Sequence, residues 1–242
     1  IRSLADTVIN EGFCLALAEA MQLKPARSQL HSVLGRPFLL VERYDRAVDA
    51  QGQRQRLHQE DFCQALGFPP TKKYEENGGP GIAACMSLLQ GSNDPQADRK
   101  TFMKAILAFW VLGATDGHAK NFSIRLIPGG GFRLAPLYDV LSTQPHVSSR
   151  QLQLSNAKLA MAVGNSGYHR VDQIVPRHLR ETATAVGLPA ADMTAIEREI
   201  VESLDPALRA AKASLPANFP AAMGDAIAAG ARARAALFAD QA

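Results

Sequence analysis

Ala114-Thr115-Asp116-Gly117-His118-Ala119-Lys120-Asn121-Phe122 is a mostly polar run that takes its meaning from its flanks. Upstream, residues 98–113 repeat Phe102, Ile106, Phe109 and Leu112 at helical spacing, which predicts a helix with a buried face. Downstream, residues 122–127 and 132–137 read as two short strands joined by Pro128 and three glycines. The second strand runs into Tyr138-Asp139. A polar loop carrying an acid and an amide thus lies between a helix and a hairpin, and the hairpin brings a second acid back toward it.

Working outward, residues 9–22 predict a helix with Phe13, Leu17, Ala20 and Met21 on one stripe. Leu30, Val33 and the run Phe38-Leu39-Leu40-Val41 predict two strands within residues 28–44, turning at Gly35-Arg36-Pro37. The Gln- and Arg-rich residues 47–57 read as a surface loop. Residues 59–67 predict a short helix stopped by Gly67 and Pro69-Pro70. Gly78-Gly79-Pro80-Gly81 is a turn into a helix over residues 82–90. Beyond residue 170 the chain is Ala-rich and helical, with breaks near Pro176, Gly187-Leu188-Pro189, Pro206 and Pro216. A little sheet followed by a mainly helical lobe is an α+β arrangement.

Phosphoryl transfer needs the layout around residue 116. An acid in a short loop accepts or orients the proton of the attacking hydroxyl. An asparagine five residues on faces a magnesium ion, and a second acid reaches the same ion after a hairpin. Asp116, Asn121 and Asp139 stand at those places. Mg²⁺ takes a few hard oxygens and completes its shell with phosphates and water, which Asn121 and Asp139 suit. His118 is placed to hydrogen-bond phosphates, and Lys120 adds positive charge. The competing reading has Asp116 and Asp139 capping turns and Asn121 satisfying loop backbone.

Other features carry less. Gly78-Gly79-Pro80-Gly81 precedes a helix, as an anion cradle would, but Pro80 removes a donor and no Lys-Ser/Thr follows, so it reads as a structural turn. Glu11 is either the acid partner of a nucleotide-binding lysine or a charge near a helix start. His31, His58, His146, His169 and His178 lack metal-ligand spacing, and Trp110 reads as core. Residues 142–156, with polar Ser148-Ser149-Arg150-Gln151, are either a substrate-facing segment or a plain solvated loop. Cys14, Cys63 and Cys85, odd in number and apolar in setting, read as reduced thiols of a cytoplasmic protein. No apolar run approaches the roughly 20 residues that span a bilayer. The interrupted start, with Arg2, Ser3 and Asp6, is no secretory signal. The net charge of +3 fits an acidic partner or a nucleotide without establishing nucleic-acid binding. Arg170, Arg177, His178 and Arg180 are the cations placed to approach an acidic partner or DNA.

Several motifs, in order, resemble the HipA family of toxin kinases. They are residues 116–123 (Asp-Gly-His-Ala-Lys-Asn-Phe-Ser) followed by Tyr138-Asp139-Val140; Val41-Glu42-Arg43-Tyr44-Asp45-Arg46; Gln59-Glu60-Asp61; and Lys73-Tyr74-Glu75 running into Gly78-Gly79-Pro80-Gly81. Leu159-Ala160-Met161, Pro176-Arg177-His178 and Ser214-Leu215-Pro216 extend the resemblance over essentially the whole chain. It implies a protein kinase-like fold that uses ATP and Mg²⁺, in a type II toxin–antitoxin system. The implied partners are a HipB-like DNA-binding antitoxin, operator DNA mainly through that antitoxin, and an aminoacyl-tRNA synthetase, typically the glutamyl enzyme. Phosphorylation of a synthetase serine blocks translation and promotes growth arrest and persistence. Carried over, Asp116 resembles the catalytic base, and Asn121 and Asp139 the magnesium ligands. His118, Ala119, Lys120, Asn121, Tyr138 and Asp139 line the nucleotide. Glu42, Arg43 and Tyr44 resemble the hinge whose backbone meets adenine, with Tyr44 where a Phe is familiar.

The resemblance also sets expectations about what lies elsewhere. The phosphate-covering loop, its lysine and an autophosphorylated serine fall upstream of this chain in the family, so the phosphate-loop subdomain is expected to be absent. On that view the fold is a small mixed β element plus a large all-helical C-terminal lobe, with residues 1–45 the remainder of a small lobe and its hinge, residues 46–242 a mainly helical catalytic lobe, and the chain alone binds ATP poorly. Two other readings stay open: a small-molecule kinase of the same superfamily, and a non-catalytic partner acting through antitoxin and DNA.

Overall fold

The computed structural model describes residues 4–216 and 219–239; Ile1, Arg2 and Ser3 of the amino-end reading lie outside them. Helix α1 (Leu4–Ala20) begins earlier than its apolar stripe suggests, with Asp6 in its first turn where the helix dipole favours an acid. Strands β1 (Ser28–Val33) and β2 (Arg36–Val41) form the expected hairpin. Its turn is shorter than expected: Leu34 and Gly35 both take positive φ, the two-residue geometry matched to strand twist, so Arg36 and Pro37 already belong to β2. Leu39 packs inward, and Gly12 of α1 lets it approach, since a Cβ there would sit 3.3 Å from Leu39 Cδ1.

Residues 47–57 are more than a loop. Strands β3 (Arg46–Val48) and β4 (Arg54–Arg56) pair there, around a turn that the Asp49 carboxylate organises by accepting from the backbone of Gln51 and Gln53. The predicted helix over 59–67 is half strand: β5 (Gln59–Asp61) leads into α2 (Phe62–Ala65), which Asp61 and Gln64 cap reciprocally. Helix α3 (Ile82–Leu89) follows. Helix α4 (Pro95–Leu112) starts on the Asp94 cap with Pro95 in its first turn and ends at left-handed Gly113. The glycine-joined strands β6 (Ser123–Leu126) and β7 (Phe132–Leu134) complete an antiparallel sheet with β5.

The later part departs from an all-helical lobe. After α5 (Gln144–Ser148), strands β8 (Lys158–Val163) and β9 (Tyr168–Arg170) make a bulged hairpin. Helices α6 (Pro176–Ala185), α7 (Ala190–Ala213) and α8 (Ala221–Ala236) close the chain. Pro206 does not break α7. It lies on the exposed side, where water can take the hydrogen bond it forgoes.

The architecture is mixed α+β, with small antiparallel sheets and one parallel bridge, Pro25 to Leu137. Helix α4 is the central pillar. It packs against α3, α7 and α8, its Phe102 and Phe109 rings meet Phe122, and each buried side chain such as Phe102, Met103, Phe109 and Trp110 contributes about 1.5–3 kcal/mol. Cys14, Cys63 and Cys85 are free and buried, as their apolar setting predicts. Among the described residues no helix is long and apolar enough to cross a membrane.

Candidate active site

The loop after α4 is seated from both sides. Ala114 N–H donates to the Phe109 carbonyl (2.8 Å), and the Thr115 carbonyl accepts from Ala160 N–H of β8 (3.0 Å). Gly117 has no room for a side chain, since a Cβ would stand 2.4 Å from Phe109 Cδ2. The Asp116 carbonyl accepts from His118 N–H and from Asn121 Nδ2, each at 2.8 Å. Asn121 is buried, and with its nitrogen so committed its side-chain oxygen is the atom that can face a cation.

Asp116 and Asp139 are exposed, whereas His118 between them is buried. Tyr74 OH donates to Asp116 Oδ1 (2.7 Å), and His118 Nε2 lies 4.0 Å from Oδ2. Both carboxylates bear on the same two neighbours. Burial first, then Asp116 and Asp139, push the Tyr74 phenol up to about 12. At His118 burial outweighs the two acids and holds the imidazole below its usual pKa, so it is neutral at pH 7. Its Nδ1 is buried without a partner.

Asp139 itself takes a left-handed φ of 56°, unusual for a side-chain-bearing residue. The chain on either side of it is gripped. Leu137 is stitched to the segment after α1 by Ala26 N–H (2.7 Å). Asn10 of α1 donates to the Ser142 carbonyl (2.7 Å) and accepts from Ser142 N–H (2.9 Å). Glu11, one residue on, is half-buried. Burial first and then the Asp139 charge raise its carboxyl, with the Asp139 backbone opposing them.

An aromatic wall stands beside the loop. Tyr138 OH donates to the Lys120 carbonyl (2.9 Å) and meets Ser123 Oγ at 2.6 Å, and its ring stacks with Tyr44 at 6.3 Å. Burial pushes both phenols above their ordinary range. The rest of the predicted hinge points elsewhere. Arg43 clamps buried Asp45 through two hydrogen bonds (2.8 and 2.6 Å); with Arg46 it holds that carboxyl down to about 2. Glu42 N–H is committed to the Arg27 carbonyl (2.8 Å). Lys120 is ion-paired with Asp61 at 2.5 Å rather than carrying a free charge, and the Ala119 methyl is buried in the core.

The glycine turn behaves as a turn. Gly78 is left-handed, a Cβ on Gly79 would meet the Lys72 carbonyl at 2.2 Å, and one on Gly81 the Glu75 carboxylate at 2.2 Å. Residues 142–156 contain α5 and a one-turn helix at Leu154–Asn156, with 148–151 exposed. Sequence reasoning placed Tyr74 and Asp61 in motifs of the resemblance but gave them no role, passed over Asn10 and left Glu11 undecided. Glu11 carried the signal of an acid near the start of the predicted helix, though it lies in the middle of α1.

Among the described residues no three His, Cys, Asp or Glu side chains gather as a metal cage. Magnesium needs none, because one or two carboxylates with phosphates and water suffice. Asp139 and the Asn121 oxygen fit that requirement.

The family model described as the HipA-like C-terminal domain matches residues 2–208. The Sinorhizobium fredii protein Y4mE, named as a candidate kinase, is 45% identical over 165 residues, covering 68% of this chain and 38% of its own length. The serine/threonine-protein kinase toxin HipA of Shewanella oneidensis is 28% identical over 213 residues, 81% of this chain and 47% of that protein. The chain therefore spans less than half the length of these curated relatives. The fold matches HipA from the Shewanella oneidensis complex of HipA, HipB and operator DNA, with a TM-score of 0.82 at 24% identity over 99% of this chain and 58% of that one. It also matches the Helicobacter pylori proinflammatory kinase CtkA, with a TM-score of 0.65 at 10% identity over 97% of this chain and 82% of that one.

Proposed function

The chain belongs to the HipA-like C-terminal domain family, and from that premise we propose that it is the catalytic portion of an ATP- and Mg²⁺-dependent serine/threonine kinase toxin. The observation that supports this reading is the pair of exposed acids, Asp116 and Asp139, which both act on His118 and Tyr74, beside an Asn121 whose side-chain oxygen is left open when its nitrogen bonds the loop backbone. A chain needing only to bind an antitoxin has no use for two exposed acids converging beside a buried amide.

ATP with Mg²⁺ supplies the phosphoryl group and the cationic charge that stabilises its transfer. Asp116 accepts the proton of the acceptor hydroxyl through the carboxylate oxygen that Tyr74 leaves open. Asn121 and Asp139 hold the cation. His118, neutral, offers an N–H toward phosphate oxygens, and the Tyr44–Tyr138 wall packs on the base. Lys120 acts through the Asp61 pair, keeping the loop in place. Residues 1–45 serve as the remainder of a small lobe and hinge, and residues 46–242 as the catalytic lobe.

By extension from the relatives, the acceptor is a serine of an aminoacyl-tRNA synthetase, the glutamyl enzyme first. The partner is a HipB-like antitoxin that brings operator DNA, and the setting is the bacterial cytoplasm. The test uses the full natural protein with Asp116→Asn, scoring growth arrest and transfer of labelled phosphate to purified glutamyl-tRNA synthetase. Loss of about 10²-fold or more in transfer is expected for a removed base. Unchanged transfer and toxicity would refute the kinase reading.

A further inference from the structure

We propose that Tyr74 is a positioning residue for Asp116, and that the Gly78-Gly79-Pro80-Gly81 turn exists to hold it there. The inference rests on Asp116 being the base. Asp116 is exposed on a loop, with 55% of its side chain open to solvent, so packing alone does little to choose its rotamer. Tyr74 reaches it from 42 residues away and donates to Oδ1 at 2.7 Å, a charge-assisted bond that fixes the rotamer and leaves Oδ2 for the acceptor hydroxyl. The phenol does not itself move protons at neutral pH, since its proton is held up to about 12.

Tyr74 is in turn locked. Its ring meets His118 edge-on at 5.0 Å, and Lys73 Nζ stands 4.9 Å over its face. Its carbonyl accepts from Asn77 N–H (3.1 Å) and Gly79 N–H (3.0 Å). That close turn exists because Gly79 lacks a Cβ, which would otherwise meet the Tyr74 carbonyl at 2.8 Å. The next two residues tie the turn to β8: Glu75 accepts from Ala162 N–H (2.6 Å), and Glu76 pairs with Lys158 (2.8 Å). Strand β8 also holds the Thr115 carbonyl, one residue before Asp116. One strand therefore braces both partners, and the Tyr74–Asp116 bond closes the frame.

The experiment compares Tyr74→Phe, Asp116→Asn and the double variant in the full natural protein, with labelled ATP and purified glutamyl-tRNA synthetase. Tyr74→Phe keeps the ring on His118 and removes only the hydroxyl. Expected is a fall in kcat of about tenfold, the scale of one lost hydrogen bond to a charged group, with KM for ATP and the melting temperature unchanged. In the Asp116→Asn background the same change is expected to add nothing, because the phenol acts through that carboxylate. An unchanged kcat in Tyr74→Phe overturns the proposal. So does a raised KM for ATP at constant kcat, or full additivity with Asp116→Asn. Failure of the kinase reading looks different: Asp116→Asn retains full transfer, or the unsubstituted protein transfers none, and the role of Tyr74 falls with it.

Discussion

Asn10 offers the sharpest test of how the site is assembled. Its buried amide makes a two-way bridge with the backbone of Ser142, which is 2% exposed, three residues past Asp139. Replacing Asn10 by Leu keeps the volume near constant but leaves the Ser142 N–H and C=O in a dry site without these partners. Each such group costs about 1–3 kcal/mol, and the leucine's own burial offsets part, so a net loss of about 2–4 kcal/mol is expected. Asn10→Asp should fare little better, since it retains an acceptor for the N–H but turns a carboxylate toward the Ser142 carbonyl. Urea unfolding monitored by Trp110 fluorescence reads the loss directly. Because the bridge fixes the chain beyond Asp139, transfer activity should also fall under conditions where the variant is fully folded. A displacement of about 1 Å at such a group can cost 10²-fold. A destabilisation below about 1 kcal/mol, on that same scale, together with unsubstituted activity would refute the reasoning.

Gly117→Ala drives a Cβ into the ring of buried Phe109, which Phe122 backs at 5.7 Å, so the ring has little space to yield. A loss of about 1–3 kcal/mol in a thermal melt is expected, with reduced transfer; wild-type values in both would mean that the loop moves freely. His178, buried against Tyr168 with ring centroids 4.0 Å apart, has its pKa lowered, first by burial and then by Arg177, with Glu181 opposing. The unfolded chain therefore binds its proton more readily. Stability should fall as pH drops below the ordinary histidine range and hold above it. His178→Phe keeps a ring on Tyr168 and should shrink that slope in urea midpoints taken from about pH 7.5 to pH 5; an unaltered slope counts against burial as the cause.

The parts of the fold legible in the sequence are those whose signal is local and repeated. Helix α4 shows its period from Phe102 to Leu112, about three turns, and the β6–β7 hairpin announces itself through Pro128 and three glycines. Strands β3 and β4 do not: Arg54-Gln55-Arg56 is polar and wholly exposed, so its pairing leaves no alternation to read. The bulge in β8–β9 likewise breaks the period of two that would have marked it. At Pro206 a local rule pointed the wrong way, because buried residues of α7 on both sides of it, Ile200 and Leu204 before and Ala207, Leu208 and Ala211 after, hold the helix by packing, against the proline's local cost.

The candidate site divides along the same line. Asp116 and Asn121 lie five residues apart, and that spacing alone lets the amide reach the acid's own carbonyl. What makes the pair usable comes from further off: Tyr74 from 42 residues away, Asp61 neutralising Lys120 from 59, and Asn10 holding Ser142 from 132. Each of these is a single polar contact between segments with no shared pattern, so no window along the chain contains its evidence. Chemistry-bearing residues are constrained by what they must do and cluster near one another. The residues that aim them need only arrive at the right place, and they arrive by whichever element packs there. A substitution at Tyr74 or Asn10 should therefore damage transfer as surely as one at Asn121, although the motif that contains Tyr74 gives it no role and nothing in the local sequence marks Asn10.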